Sequence, residues 1–272
     1  MADLEMQKEI EDISSKYQLM TCIRSVFRIP TIVDHISDMG LPLDFSIDFI
    51  CQMALHRRTS FTTMFGILYH YFEDMGEEGF QHTADMIAGC MVAGLADFDP
   101  ITNDIVCVFP IPGEIQAKLD AFQYPMPMVV KPREVKTNRQ SGYLTTKKSV
   151  LLKGHNHHDY DVCLDHINLS NSTALTLNHD VARMVENSWK DLDKQKPDEL
   201  REDYIDRLAS FLRYDHNSRD VMELMAMAGN KFYLTHRYDK RGRTYAQGYH
   251  ITSQGNAWNK AVLEFADKEL IA

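Results

Sequence analysis

Between Lys231 and Arg243 the chain places five basic residues, Lys231, Arg237, Lys240, Arg241 and Arg243, against the one carboxylate of Asp239. A guanidinium is a planar fork that can bond two phosphate oxygens at once, so such a cluster suits phosphodiester binding. The surrounding residues say how the cluster is held. Phe232, Leu234 and His236 alternate with Tyr233, Thr235 and Arg237, which is the two-residue period of a strand. Asp239-Lys240-Arg241-Gly242 is turn chemistry, because Asp bonds its own backbone and Gly accepts positive φ. A second strand-like run follows from Arg243 to Tyr249. The expectation is a β-hairpin with Arg237, Lys240, Arg241 and Arg243 at its tip. Tyr245 offers an aromatic face beside them on which a base could stack.

A second candidate is Gly154-His155-Asn156-His157-His158-Asp159-Tyr160-Asp161, with His166 beyond it. Imidazoles and carboxylates are ligands for zinc or manganese, so a metal-dependent hydrolase is one reading. The i, i+2, i+3 spacing lies in a loop and lacks helical i, i+4 geometry, so a solvated or phosphate-adjacent loop is the other. Five cysteines, at 22, 51, 90, 107 and 163, lie far apart with no C-x-x-C pair. They read as reduced thiols packed as small hydrophobes, with no neighbour that would activate a nucleophile.

The 272-residue chain carries a net charge of −10. That total runs against nucleic-acid binding, but its distribution does not. Residues 131–153 hold +6 and residues 231–243 hold +4, which leaves −20 for the remainder. Two basic islands in an acidic body fit a channel that guides phosphate; scattered surface charge is the plainer reading. No run approaches the ~18 apolar residues of a membrane helix. The start, MADLEMQKEIED, has no signal-peptide core.

Periodicity predicts a mainly helical α+β protein. Residues 4–27 read as helix through Ile10, Ile13, Tyr17, Met20 and Ile23. Pro30 opens a helix over 31–39, and Asp44 or Ser46 caps one that runs to His56. Phe61, Met64, Phe65, Leu68 and Phe72 make a core-facing stripe. A helix over 77–96 is rich in small residues that admit a close neighbour, and another covers 113–122. Asp97 to Asp104 turns between two short strands, and 143–152 reads as a hairpin turning at Thr146-Lys147-Lys148. Asn178 caps a helix over 179–189. Pro197 opens a helix with Leu200, Tyr204, Ile205, Leu208, Phe211 and Leu212 on one face. A separate helix over 219–228 ends at Gly229, and its Met222, Met225 and Met227 read as packing.

Three strings carry a family likeness. Asp239-Lys240-Arg241-Gly242-Arg243, then Thr244-Tyr245-Ala246, Gln254-Gly255-Asn256 and Asn259-Lys260 onward to Ala266, resembles the D/T-x-x-G-R element of bacteriophage-type single-subunit RNA polymerases. Mitochondrial RNA polymerases belong to the same family. Ile167-Asn168, Asn171, Thr173, Leu175 and Leu177-Asn178 are similar to that family's I-N-x-x-Q-x-T-x-W-x-I-N. Here Asn171 stands for Gln, Leu175 for Trp and Leu177 for Ile. Tyr124 to Pro132, followed by Gly142-Tyr143 and Val150-Leu151-Leu152, resembles V-P-P-x-x-W … G-G-Y. There Lys131 interrupts the proline pair and Glu134-Val135 replaces the aromatic. The likeness spans roughly 80–272 and is strongest over 164–178 and 229–266.

The resemblance implies three segments. Residues 1–160 would be an N-terminal domain, mostly helical, with β-hairpins near 97–109 and 143–152. Residues 161–229 would be thumb-like helices, and 230–272 the start of a palm with the D-x-x-G-R hairpin. In that family the element holds the template strand and RNA–DNA hybrid beside the active centre. Asp239, Lys240, Arg241, Gly242, Arg243, Tyr245 and Lys260 are then nucleic-acid-binding residues, with Arg219, and Arg213 behind it, on the thumb. The family places two metal-binding aspartates, a lysine–tyrosine element and a histidine–aspartate motif further on, and the 272 residues contain none of them. Nucleotide addition needs two divalent ions about 3.5–4 Å apart. Glu264 and Asp267, read as lying on a closing helix, do not form such a site.

The expectation is therefore the small subunit of a split, two-chain phage RNA polymerase of the enquatrovirus type, with Met1 as its natural start. It would be inactive alone, with no catalytic residue or metal of its own. Mg²⁺ and the catalytic aspartates would belong to a larger catalytic chain. The DNA template and nascent RNA would be shared ligands, a single-stranded-DNA-binding or promoter-recruiting helper a further partner, and the infected host's cytoplasm the location. A stand-alone nucleic-acid-binding accessory protein is the other reading.

Overall fold

Hydroxyl side chains compete with the helical ladder. Ser14 and Ser15 accordingly split the expected first helix into α1 (Ala2–Ile13) and α2 (Lys16–Phe27), and the Ser14 hydroxyl donates back to the Ile10 carbonyl at 2.7 Å. The structure, a computed structural model, describes residues 2–146, 149–152, 160–197 and 199–268. The chain forms two compact units, one of residues 16–119 and one of residues 1–15 with 120–272. Residues 120–160, 161–229 and 230–272 thus share a unit, whereas the segments read from sequence place 120–160 with the N-terminal domain.

The unit of residues 16–119 is built on one buried helix. After α3 (Pro30–Asp38) comes α4 (Leu43–His56), in which every residue from Phe45 to Ala54 is buried. A helix apolar on nearly all sides must lie inside. Its capping residue is Pro42, with no side-chain cap; Asp44 and Ser46 lie within the helix instead. Asp48, on the same helix, receives Arg24 Nε at 2.5 Å, Arg24 Nη2 at 2.7 Å and the Tyr71 hydroxyl at 2.8 Å. A buried carboxylate requires such partners. β1 (Arg58–Ser60) leads to α5 (Phe61–Leu68), whose Met64 and Leu68 enter the core while Phe61, Phe65 and Phe72 pack against it. α6 (Glu77–Val92) follows, then β2 (Asp97–Asp99) and β3 (Asp104–Val106), the expected hairpin. β1 joins it in an antiparallel sheet of order β1-β3-β2. α7 (Gly113–Phe122) carries the chain onward.

In the other unit, α8 (Leu164–Ser172) and β4 (Leu175–Leu177) precede α9 (His179–Met184). The Asn178 side chain caps α9 by accepting from Val181 N at 3.0 Å, although the helix stops earlier than predicted. α10 (Arg201–Met227) is one 27-residue helix and not two. It holds no Gly or Pro to interrupt it, and Tyr214 and Ser218, inside the polar stretch that reads as a break, are buried. It begins at Arg201, past Pro197. β5 (His236–Tyr238) and β6 (Thr244–Ala246) form the predicted basic hairpin, followed by α11 (Ala257–Ala261) and β7 (Leu263–Phe265). Glu264 therefore lies on a strand, because 263–265 pair antiparallel with β4.

The hairpin expected over 143–152 is replaced by a different pairing. Val150 to Leu152 run alongside β5, with Tyr238 N donating to Val150 O and Leu152 N to Tyr238 O, both at 2.7 Å. Val150 and Leu151 gain burial with Val135, Ile167 and Tyr238 in a small apolar cluster under the hairpin. Lys147 and Lys148 lie outside the described residues. The main core of this unit gathers Phe232, Trp258, Met225, Ile251 and Val262. Met222 and Met225 are buried in it, while Met227 is exposed. The fold is α+β and mainly helical. No helix among the described residues is long and apolar enough to cross a membrane.

Candidate nucleic-acid interface

A three-residue hairpin loop calls for a type I turn followed by a left-handed residue. The chain supplies it: Gly242 N donates to Asp239 O at 3.0 Å, Asp239 N to Arg243 O at 2.9 Å, and Gly242 has φ +76°. Asp239 organises the rest of the turn. Its Oδ1 accepts from the amides of Arg241 at 2.9 Å and Arg243 at 3.0 Å. Its Oδ2 accepts from Arg243 Nε at 2.8 Å and meets Arg243 Nη2 at 2.7 Å, with Arg241 Nε at 3.4 Å and the Tyr245 hydroxyl at 3.4 Å. One carboxylate thus both shapes the turn backbone and orients Arg243. Partial covering pushes its pKa up, but the backbone amide and guanidinium of Arg243 outweigh this and hold it below the usual carboxylate value. Hydrogen bonding to Asp239 raises the Arg243 pKa in turn.

The charges on this turn still face water. The Asp239 side chain is 14% exposed, against 65% for Arg241 and 51% for Arg243. Lys240 and Gly242 are exposed as well. Arg243 lies 5.5 Å from the centre of the Tyr245 ring, a cation–π contact that fixes guanidinium and ring together. Asp239 engages only one edge of the Arg243 fork, so the remaining N–H donors are available to an anion.

Beneath the turn, side-chain amides complete the hairpin where no strand does. Gln254 Oε1 accepts from Ala246 N and Gln254 Nε2 donates to Thr244 O, both at 2.9 Å, along the outer edge of β6. Asn171 Oδ1 accepts from His236 N at 2.8 Å on the outer edge of β5. Asn168 likewise pairs with both backbone groups of Val135, at 2.8 and 2.9 Å. Gly142 has no side chain where one would meet Pro132, Thr235 and Asn171 at 2.9–3.0 Å. The three strings with the family likeness therefore converge at Gly142, Asn171 and the base of the hairpin. Sequence reading did not anticipate this bracing role. Its signal was the carboxamide residue type, and its partners are remote in the chain.

The other predicted residues lie elsewhere. Lys260 is exposed on α11. Arg219, on α10, sits 5.9 Å from the Trp258 ring and pairs with Asp215 at 3.0 Å. It borders a cleft of about 260 Å³ with His179, Arg183, Met222 and Glu223. Arg213 is paired with Asp120 at 3.1 Å. Among the described residues, no hydrogen bond, ion pair or ring contact joins Arg219 or Lys260 to the turn. Arg237, placed at the tip by sequence, is instead half-buried on β5 and donates to the Leu151 carbonyl.

Of the histidine run, 155–159 fall outside the described residues, and so does Lys153. Among the described residues no group of three or more His, Cys, Asp or Glu could hold a metal ion. Glu264 is engaged by Asn178 at 2.5 Å and Lys268 at 2.6 Å, and Asp267 by Lys231 at 3.2 Å. All five cysteines are free thiols, and burial pushes those of Cys51 and Cys90 up to about 12, which leaves them unreactive. No protein-family model matches the chain and no curated protein matches it, so the likeness to the polymerases is carried by the residues named above.

Proposed function

We propose that this chain is the small subunit of a two-chain, phage-type DNA-directed RNA polymerase, and that its β5–β6 hairpin contacts the template strand and the RNA–DNA hybrid. One observation carries the reading. Asp239 and Gly242 suffice to form the turn, yet Lys240, Arg241 and Arg243 crowd it with exposed cations beside Tyr245. The fold does not require those charges, and phosphate does.

In this account Asp239 pre-orients Arg243, so little side-chain freedom remains to be lost when a phosphate binds. Arg241 and Lys240 add charge at the tip, and Lys260 contributes a further phosphate contact. Tyr245 receives a template base, a stacking interaction typically worth about 1–3 kcal/mol. The carboxylates near the end of the chain, Glu264 and Asp267, are neutralised by lysines, which fits a division in which the larger chain's aspartates hold Mg²⁺. Mg²⁺ bound there would stabilise the attacking and leaving oxygens of nucleotide addition. This chain's part is to hold and align the nucleic acid. The outer edge of β7 meets no strand among the described residues, and Phe265 on it is exposed, which suits a partner chain there.

The test is Arg243→Ala in the reconstituted two-chain enzyme. RNA extension should fall sharply or vanish while the chains still assemble. Near-normal extension would overturn the assignment. A stand-alone nucleic-acid-binding protein is the second reading, favoured by the hairpin edges that Asn171, Gln254 and residues 150–152 already cover. It predicts full function in the absence of any catalytic chain.

A further inference from the structure

Side chains two apart on a strand share a face, and so do register partners on adjacent strands. Arg237 pairs in register with Tyr245, and Asp239 and Arg243 close the next position toward the turn. Arg237, Tyr245, Arg243 and Asp239 therefore occupy one face of the hairpin, with the Tyr245 ring among three charged neighbours. Two of those neighbours are guanidinium groups.

They differ in how their charge is met. Arg243 has Asp239. Arg237 has no carboxylate partner among the described residues. One of its Nη atoms donates to the Leu151 carbonyl, and its Nε is buried without a hydrogen-bond partner. Burial lowers its pKa, with only the nearby Tyr143 acting the other way. Holding a desolvated cation without a counter-charge opposes folding. Leu or Met at 237 would serve the strand without that cost.

The geometry points to Arg237 as a further phosphate-binding residue: a phosphodiester strand would cross this face with one phosphate on Arg243, the next on Arg237 and a base on Tyr245 between them. The inference rests on the hairpin being the nucleic-acid contact and adds a residue and a path for the strand across it. The ligand is a single strand or an unpaired template segment, because a base must be free to reach Tyr245.

The experiment is a salt titration of binding, using the full-length chain and a fluorescein-labelled single-stranded DNA read by anisotropy. Wild type, Arg237→Gln, Arg237→Lys and Arg243→Gln are compared. Removing the cation from one phosphate reduces the slope of log K against log salt by about 0.7. Arg237→Gln and Arg243→Gln should each show about that reduction. Arg237→Lys should keep the wild-type slope with about tenfold weaker binding, since it keeps the charge and loses the fork. A purely structural role for Arg237 would move the melting temperature and leave the slope unchanged. If Arg237→Gln keeps the wild-type slope while Arg243→Gln reduces it, this inference fails and the hairpin assignment stands. If neither variant changes the slope, or wild type does not bind, the assignment of the hairpin falls too. Should Arg237→Gln not fold, Arg237→Lys decides: wild-type affinity overturns the inference, and weaker binding at the wild-type slope supports it.

Discussion

Among the described residues, two hairpins are built on the same device. In β2–β3, Asp99 Oδ1 accepts from the amides of Ile101 at 3.0 Å and Thr102 at 3.4 Å, and Asn103 takes a positive φ of 60°. In β5–β6, Asp239 Oδ1 accepts from Arg241 and Arg243, and Gly242 takes the positive φ. Each carboxylate also binds an arginine, Arg58 at 2.9 Å in the first and Arg243 at 2.7 Å in the second. What they display differs. Arg58 arrives from a neighbouring strand and bonds Thr102 as well, and the tip it leaves is apolar, with Ile101 93% exposed. The other tip is Lys240-Arg241-Gly242-Arg243. A turn held by Asp and one arginine therefore forms with an apolar tip, and the further cations Lys240 and Arg241 answer to something other than folding.

The largest way to break that comparison is to neutralise each arginine set. Arg241→Gln with Arg243→Gln should weaken binding of an RNA–DNA hybrid by about tenfold or more per residue, as the removal of charge-assisted bonds does. Arg58→Gln should leave binding unchanged. Anisotropy titrations decide, and equal losses would remove the distinction.

A second contrast is acid sensitivity. Burial, reinforced by His166, lowers the His236 pKa to about 4, from an ordinary value near 6.5. The unfolded chain therefore takes up the proton first. Stability is full above about pH 6.5 and declines toward pH 4, by on the order of 3 kcal/mol at most. The β2–β3 hairpin holds no histidine. Hydrogen exchange across this range should show amides of 236–246 losing protection before those of 97–106. Simultaneous loss would contradict the assignment to His236.

Removing either carboxylate should sharpen the likeness. Asp99→Ala and Asp239→Ala should each lower the melting temperature, because each removes the acceptor of the turn amides and of a guanidinium. Thermal melting of the two variants would expose any inequality. The smallest effects lie at the left-handed positions. Gly242→Ala should cost about 1 kcal/mol, and Asn103→Gly should change stability by less than that.

Local chemistry was legible in the sequence wherever one stretch determined its own shape. Alternation from Phe232 with Asp239 and Gly242 placed the hairpin, and Asn178 announced its cap. Long-range choices were not legible. Val150 to Leu152 pair in parallel with Tyr238, far along the chain, because that buries Val150 and Leu151. Residues 263–265 read as helix until β4 claims them as a strand. Gln254 and Asn168 act as substitute peptide groups, a role their type permits but only their neighbours assign. Strand alternation alone already set Arg237 on the face of Asp239, although its bond to the Leu151 carbonyl depended on a remote segment.

The central claim, that the Asp239 turn and not the Asp99 turn meets nucleic acid, is tested most directly by photo-crosslinking. A photoreactive residue is placed at Lys240 or at Ile101, both exposed at their tips, in the proposed two-chain enzyme halted during RNA extension. The account predicts template or RNA crosslinks from position 240 and none from position 101. Equal yields from the two tips, or none from 240, would contradict it.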